Sequence, residues 1–230
     1  MVGKVMKLFL TLLVAFFISL NLAYCDNFYA QGPKGKKQIA ITFDDGPGPH
    51  TQEVLDMLKA NGVKATFFME GQLVNIRPDV ARMVIADGHE VGSHLYDHPN
   101  FYKMKGIENK PKLLKQIQLS ENAFSKIGYK PRLVRMPYGF VNTWVKETLA
   151  ENGYIDINWS FGCDWNKMEK EELAAVYVKN VLAGAILLFH DGGKNRERTI
   201  YAAKMAIEEA KKQGLEIVTV SQLLGPNKVN

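Results

Sequence analysis

The sequence predicts a parallel α/β architecture, and three features carry that prediction. From Gln38 onward, apolar runs of β type alternate with segments of helical period. Several strand runs are apolar at consecutive positions, the pattern of strands covered by helices on both faces. The connections are short, so residues 38–225 read as one domain. Seven strand-like runs suit either an open doubly wound sheet or a closed barrel, and periodicity alone leaves both open.

The first strand is Ile39 to Phe43, β-branched and aromatic, followed by a helical pattern from Thr51 to Ala60. Ala65 to Met69 is the next strand, and Pro78 to Asp87 the next helix, opened by a proline where a first turn tolerates it. Glu90 to Ser93, Pro111 to Lys126, Leu133 to Arg135 and Asn142 to Asn152 continue the alternation. Tyr154 to Phe161, Lys170 to Leu182, Ala185 to Phe189, Arg196 to Gln213 and Leu215 to Val220 complete it. Residues 26–37 are polar, with Gly32, Pro33, Gly35 and three lysines, and read as a solvated linker.

Residues 1–25 read as a secretory signal peptide: Lys4 and Lys7, an apolar stretch from Leu8 to Leu22, then Ala23-Tyr24-Cys25 before Asp26. The stretch is shorter than the roughly 18 to 20 residues of a membrane helix. The expected location is therefore outside the cell or in its envelope. Membrane attachment would come only through an uncleaved signal or a lipid on Cys25. With Cys25 removed or lipidated, Cys163 has no partner for an intrachain disulfide and reads as a buried apolar thiol. From Asp26 onward 27 Lys and Arg face 24 Asp and Glu, a balance of +3. That is far from the dense cationic patch of a phosphate-binding surface, which excludes nucleic acid as an expected partner.

Function is concentrated at the strand ends. Ile39 to Phe43 runs into Asp44-Asp45, Glu90 to Ser93 into His94, Leu133-Val134 into Arg135, the Trp159 strand into Asp164, and Ala185 to Phe189 into His190. In barrels and open parallel sheets the carboxyl ends of strands share one face, so these residues are expected at one mouth. Asp44-Asp45-Gly46-Pro47 is explained equally well as turn chemistry or as paired carboxylates, one binding metal while the other acts as base. His94 and His98, two of five histidines, stand at metal-ligand spacing, without the intervening Glu of the zinc-protease helix motif. Arg135-Met136-Pro137-Tyr138 offers a guanidinium to a carboxylate and a bend whose N–H faces an oxyanion. His190 becomes an acid or base if a carboxylate such as Asp164 orients it. His50 and His89 are assigned to loop and surface.

Taken in order, Thr42-Phe43-Asp44-Asp45-Gly46-Pro47, His94-x-x-x-His98-Pro99, Arg135-x-Pro137-Tyr138, Asp164-Trp165 and Leu188-x-His190 resemble the polysaccharide deacetylases, carbohydrate esterase family four. This group shares the catalytic domain of the rhizobial nodulation-factor deacetylase. The resemblance implies a distorted (β/α) barrel of about seven strands with one divalent ion, zinc first, cobalt or another ion as alternatives. Asp45, His94 and His98 would hold the ion. Asp44 would be the general base, positioned by Arg135, and His190 the general acid, tuned by Asp164. Tyr138 would offer its N–H to the oxyanion, and Trp165 and Leu188 would line the acetyl pocket. Two departures stand out: Leu95 replaces the usual Ser or Thr after the first histidine, and the segment before Trp165 lacks the first Asp of Asp-x-x-Asp-Trp.

The expected activity is N-deacetylation of N-acetylglucosamine in a polysaccharide, peptidoglycan first and chitin oligomers second. An O-acetyl xylan esterase and a catalytically silent carbohydrate-binding relative are the alternatives.

Overall fold

The computed structural model describes residues 27–229. Its strands are β1 (Phe28–Tyr29), β2 (Gln38–Gly46), β3 (Thr66–Met69), β4 (Glu90–Ser93), β5 (Leu133–Val134), β6 (Ile155–Ile157), β7 (Ile186–His190) and β8 (Glu216–Val218). All pair in parallel, in the order β1-β6-β5-β4-β3-β2-β7, with β8 also on β2. Between them run α1 (Thr51–Ala60), α2 (Gly71–Ile76), α3 (Pro78–Ala86), α4 (Lys110–Ser125), α5 (Thr143–Glu151), α6 (Lys170–Lys179) and α7 (Glu197–Lys212), with α8 (Val220–Leu224) and α9 (Pro226–Val229) after β8.

The chain beyond β6 returns to β7 and closes the ring. Phe161 bridges Leu187, the Ser160 N–H donates to the Ile186 carbonyl at 3.0 Å, and the Leu188 N–H to the Phe161 carbonyl at 2.8 Å. The choice that periodicity left open is thereby a distorted barrel.

Consecutive apolar residues in the strands serve two layers. Ile39, Ile41, Phe43, Phe67, Leu187 and Phe189 pack outward with α1, α3, α6 and α7. Phe43 stacks on Phe67 at 5.2 Å between ring centroids and Tyr177 on Phe189 at 4.1 Å. Each such fully buried ring contributes about 2 to 3 kcal/mol of transfer free energy. Ala40, Phe68, Leu133, Ile155, Ile157 and Ile186 point inward and meet Val220 and Leu223 of α8, which plugs the barrel's lower end.

Several expectations need correction. The 26–37 segment is not simply a solvated linker: Phe28 and Tyr29 pair with Asp156 and Ile157, and the Gly32 N–H donates to the Gly184 carbonyl at 2.8 Å. A two-residue strand carries no readable period, and its Gly, Pro and Lys neighbours mask it. The run 215–220 is split, because Thr219 forms a capping box with Gln222 and starts α8. α2, with only six residues, was too short to register as a helical period. His89 is not at the surface: it is buried, accepts the Ala65 N–H at 3.1 Å, and burial beside Lys64 pushes its imidazole down to about 4. Cys163 is free and buried. The expected signal, residues 1–25, lies outside the described residues. No helix among the described residues is long and apolar enough to cross a membrane.

Alternation on β6 leaves Asp156 on the side opposite Ile155 and Ile157, buried and with no hydrogen-bond partner for Oδ2. Burial pushes its carboxyl up to about 7, against the opposing pull of Lys146 and Arg135. An unfolded Asp loses its proton near 3.8. The folded state is therefore penalised increasingly as pH rises from that value to about 7, and fully above it. Asp156→Asn should stabilise the protein by about 1 to 3 kcal/mol at about pH 8 and by nothing at about pH 4. Urea midpoints of both proteins at the two pH values test this, and an equal shift at both would contradict it.

Candidate active site and metal centre

Strand alternation turns Thr42 and Asp44 of β2 into the barrel, and by that rule Asp45 would face the helices. It does not, because the β2–β3 register runs Asp44 to Phe68 and then Gly46 to Met69, leaving Asp45 as an extra residue with φ 68°. This β-bulge swings a second carboxylate to the same mouth. The bulge needs close backbone approach: a Cβ on Gly46 would sit 2.6 Å from Asp191 Oδ2, and one on Gly192 would strike the Asp45 carbonyl. Asp191 is itself fully buried and bonded to the Thr51 hydroxyl at the start of α1.

His94 follows β4, and the loop to His98 carries left-handed φ at Leu95 (62°) and His98 (56°). Such strain persists only where surroundings impose it. Gln116 of α4 does so, its Oε1 accepting the Tyr96 and Asp97 N–H groups at 3.0 and 3.2 Å. Leu95 is fully buried among Phe101, Phe140 and Trp144, and its N–H donates to Ser93 Oγ at 3.1 Å. The loop thus has apolar and hydroxyl support despite Leu95.

His94 Nδ1 donates to the Arg135 carbonyl at 2.8 Å, which turns Nε2 toward Asp45 Oδ1, 3.4 Å away. His98 Nε2 lies 3.3 Å from the same oxygen. Ligands about 2.1 Å from one tetrahedral ion stand about 3.4 Å from each other, so the spacing fits. Asp45 Oδ1 is buried with no hydrogen-bond partner, and Asp45, His94 and His98 place their ligand atoms within 4.8 Å of one another. Burial would raise the Asp45 carboxyl, but the neighbouring imidazoles of His94, His190 and His98 hold it well below the usual carboxylate range. A donor set of two imidazoles and an ionised carboxylate suits a divalent ion with open positions.

Two ion pairs flank that triad. Arg135 is fully buried, and its Nη1 donates to Asp44 Oδ1 at 2.7 Å and to Thr42 Oγ1 at 2.8 Å. Its Nε and Nη2 donate to the Ile157 and Asn158 carbonyls, both at 3.1 Å, and Phe68 lies under the guanidinium at 4.1 Å. On the other side Asp164 Oδ1 accepts from His190 Nδ1 at 2.7 Å, while Oδ2 accepts the His190 N–H and Thr199 Oγ1, both at 3.0 Å. Burial alone would depress His190, but the Asp164 hydrogen bond and charge outweigh it and push the imidazole up to about 8.

A cleft of about 490 Å³ opens over these groups. Asp44, Asp45, His94, His98, Tyr138, Trp165, Leu188 and His190 line it, and Arg135 and Asp164 stand directly behind. All ten residues singled out in the sequence therefore come to one place. Tyr138, at φ 60°, sets its ring against His98 at 4.6 Å, and Trp165 meets His190 edge-on at 5.8 Å. Trp159 and Arg196 also line the cleft, and sequence reasoning did not place them there. Trp159 lay inside an apolar run and Arg196 at a helix start, so neither carried a local signal. Gln116 and Thr199 were hidden in helical patterns for the same reason.

The mouth of this closed parallel barrel thus holds a carboxylate–arginine pair and a histidine–carboxylate pair, with a three-residue donor set between them. The chain belongs to the polysaccharide deacetylase family, whose model matches residues 31–156. It is thus a polysaccharide deacetylase, a hydrolase of the carbon–nitrogen, non-peptide class. A peptidoglycan-N-acetylglucosamine deacetylase of Bacillus cereus is 40% identical over 84% of this chain and 90% of its own length. The peptidoglycan-N-acetylglucosamine deacetylase PgdA of Listeria monocytogenes is also 40% identical, but this chain spans only 40% of that protein. The crystal structure of the Bc1960 peptidoglycan N-acetylglucosamine deacetylase superposes with TM-score 0.82 at 28% identity, covering 92% of this chain and 99% of that one.

Proposed function

We propose that this protein is an exported, divalent-metal-dependent N-deacetylase that removes acetyl groups from N-acetylglucosamine residues of peptidoglycan. The observation that carries the reading is the placement of the Asp44–Arg135 pair and the His190–Asp164 pair on either side of Asp45, His94 and His98. When bound by those three residues, a divalent ion, zinc or cobalt, would polarise the acetyl carbonyl and make water a competent nucleophile near neutral pH.

The chain's own groups supply the rest. Asp44 accepts the proton of the attacking water, and Arg135 fixes the carboxylate that does so. The Tyr138 N–H stabilises the oxyanion. His190, whose imidazole the Asp164 hydrogen bond and charge favour in its protonated form, delivers a proton from Nε2 to the departing sugar nitrogen. An amine leaves poorly without that proton, whereas an ester alkoxide needs it less, so a built acid favours the N-acetyl substrate. Trp165 and Leu188 enclose the acetyl methyl group. The choice of peptidoglycan rests on the names of the Bacillus cereus relative and the Bc1960 neighbour, and export rests on the signal-like residues 1–25.

Acetate release should be measured on peptidoglycan, chitin oligomers and acetylated xylan, with zinc or cobalt added. Release from peptidoglycan should fall to background with a chelator and return with the metal. Activity confined to xylan, activity unaffected by chelation, or none on any glycan would each overturn the reading.

A further inference from the structure

We infer that Arg196 is a specificity residue, recognising a carboxylate on the sugar next to the one being deacetylated, so that the cleft selects an acidic glycan over a neutral one. The inference rests on the peptidoglycan reading above and adds what in that polymer is recognised.

Among the residues lining the cleft, Arg196 is the only Lys or Arg. The carboxylates at the centre have other partners: Asp44 is held by Arg135 and Asp45 lies between His94 and His98. Arg196 is anchored by its Nε, which donates to the Gly192 carbonyl at 2.5 Å, and its side chain is only 16% exposed. Its nearest acid is Asp164, with Nη1 3.8 Å from Oδ2, too long for a hydrogen bond. That oxygen already accepts from the His190 N–H and Thr199. Among the described residues neither Nη nitrogen makes a hydrogen bond.

A guanidinium whose stem is fixed and whose fork makes no hydrogen bond within the protein is open to an incoming anion. The fork matches a carboxylate in two parallel hydrogen bonds, and a fixed stem reduces the entropy lost in forming them. Its place in the cleft beside the His190–Asp164 pair puts that carboxylate next to the reacting acetamide. A chitin chain presents only neutral neighbours there. A peptidoglycan glycan strand alternates N-acetylglucosamine with a sugar bearing an ether-linked lactyl group, whose carboxylate is free where the peptide stem has been removed and amide-linked where a stem is attached.

The test compares kcat/KM of metal-loaded wild type and Arg196→Gln on three substrates: stem-free glycan with free carboxylates, the same glycan methyl-esterified, and stem-bearing glycan. Wild type should prefer the free acid over the ester about tenfold. Arg196→Gln should bring that ratio close to one, and Arg196→Lys should retain part of it. A merely structural Arg196 would lower both rates together and leave the ratio intact, which would overturn the inference. So would equal wild-type rates on acid and ester, an outcome that leaves the deacetylase reading standing. A preference seen only with stems attached would assign the carboxylate to peptide and overturn the glycan assignment. No acetate from any of the three would sink the peptidoglycan reading itself, and this inference with it.

Discussion

Asp44→Asn should reduce kcat by about a thousandfold or more while leaving the metal content of the purified protein unchanged. The two halves of that expectation come from the bulge on β2. Asp44 obeys strand alternation, points into the barrel and is 2% exposed, with Oδ1 taken by Arg135 at 2.7 Å. Its other oxygen, Oδ2, is 3.8 Å from His94 Nε2 and is free to accept a proton. Asp45 breaks the alternation and faces the two histidines instead. An amide at position 44 keeps the shape and the Arg135 hydrogen bond but has lost the basic oxygen. His98→Ala, by contrast, removes one of three ligand atoms and should lose metal and activity together. Metal analysis alongside steady-state acetate release separates the variants. A near-normal rate in Asp44→Asn would remove it as the base, and loss of metal in that variant would mean the two carboxylates share the ligand role.

That division of labour shows how much of the site was legible in sequence. Asp44-Asp45 marks a place where two carboxylates are adjacent, but a strand normally sends neighbours to opposite faces. Only the register jump between Asp44 and Gly46 explains why both reach the mouth, and a bulge leaves no period to read. Strand-end residues such as His94, Arg135 and His190 were legible because a parallel barrel brings all its strand ends to one rim. The second layer was not. Gln116 supports the His94–His98 loop from the middle of α4, and Thr199 supports Asp164 from the first turns of α7. In sequence each is one polar residue on a helix, with nothing local to separate it from a solvated position. β1 and α2 escaped notice for a related reason, being too short to show a repeat and stabilised by contacts with distant strands and helices. Closure of the barrel through Phe161 was equally non-local, since it depends on Ser160 and Phe161 meeting Ile186 and Leu187.

Arg135→Met should destabilise the fold by about 3 to 5 kcal/mol as well as abolishing turnover, the largest stability effect expected of any residue in the site. Arg135 is fully buried, and its donors serve Asp44, Thr42 and the carbonyls of Ile157 and Asn158 at 2.7 to 3.1 Å. Methionine retains much of the apolar stem over Phe68 but leaves the buried Asp44 carboxyl without its cation. The penalty therefore comes mainly from the orphaned carboxylate, with a smaller part from the two carbonyls. This attribution is separable by a second substitution. In the Arg135→Met background, Asp44→Asn removes the stranded carboxyl and should recover part of the lost stability, though none of the activity. The same Asp44→Asn change made alone should give a different shift, because there it discards a satisfied ion pair. A double-mutant cycle on urea midpoints reads the coupling directly. If the two stability effects simply add, the Arg135–Asp44 pair contributes nothing beyond packing, and the role given to Arg135 in positioning the base loses its physical basis.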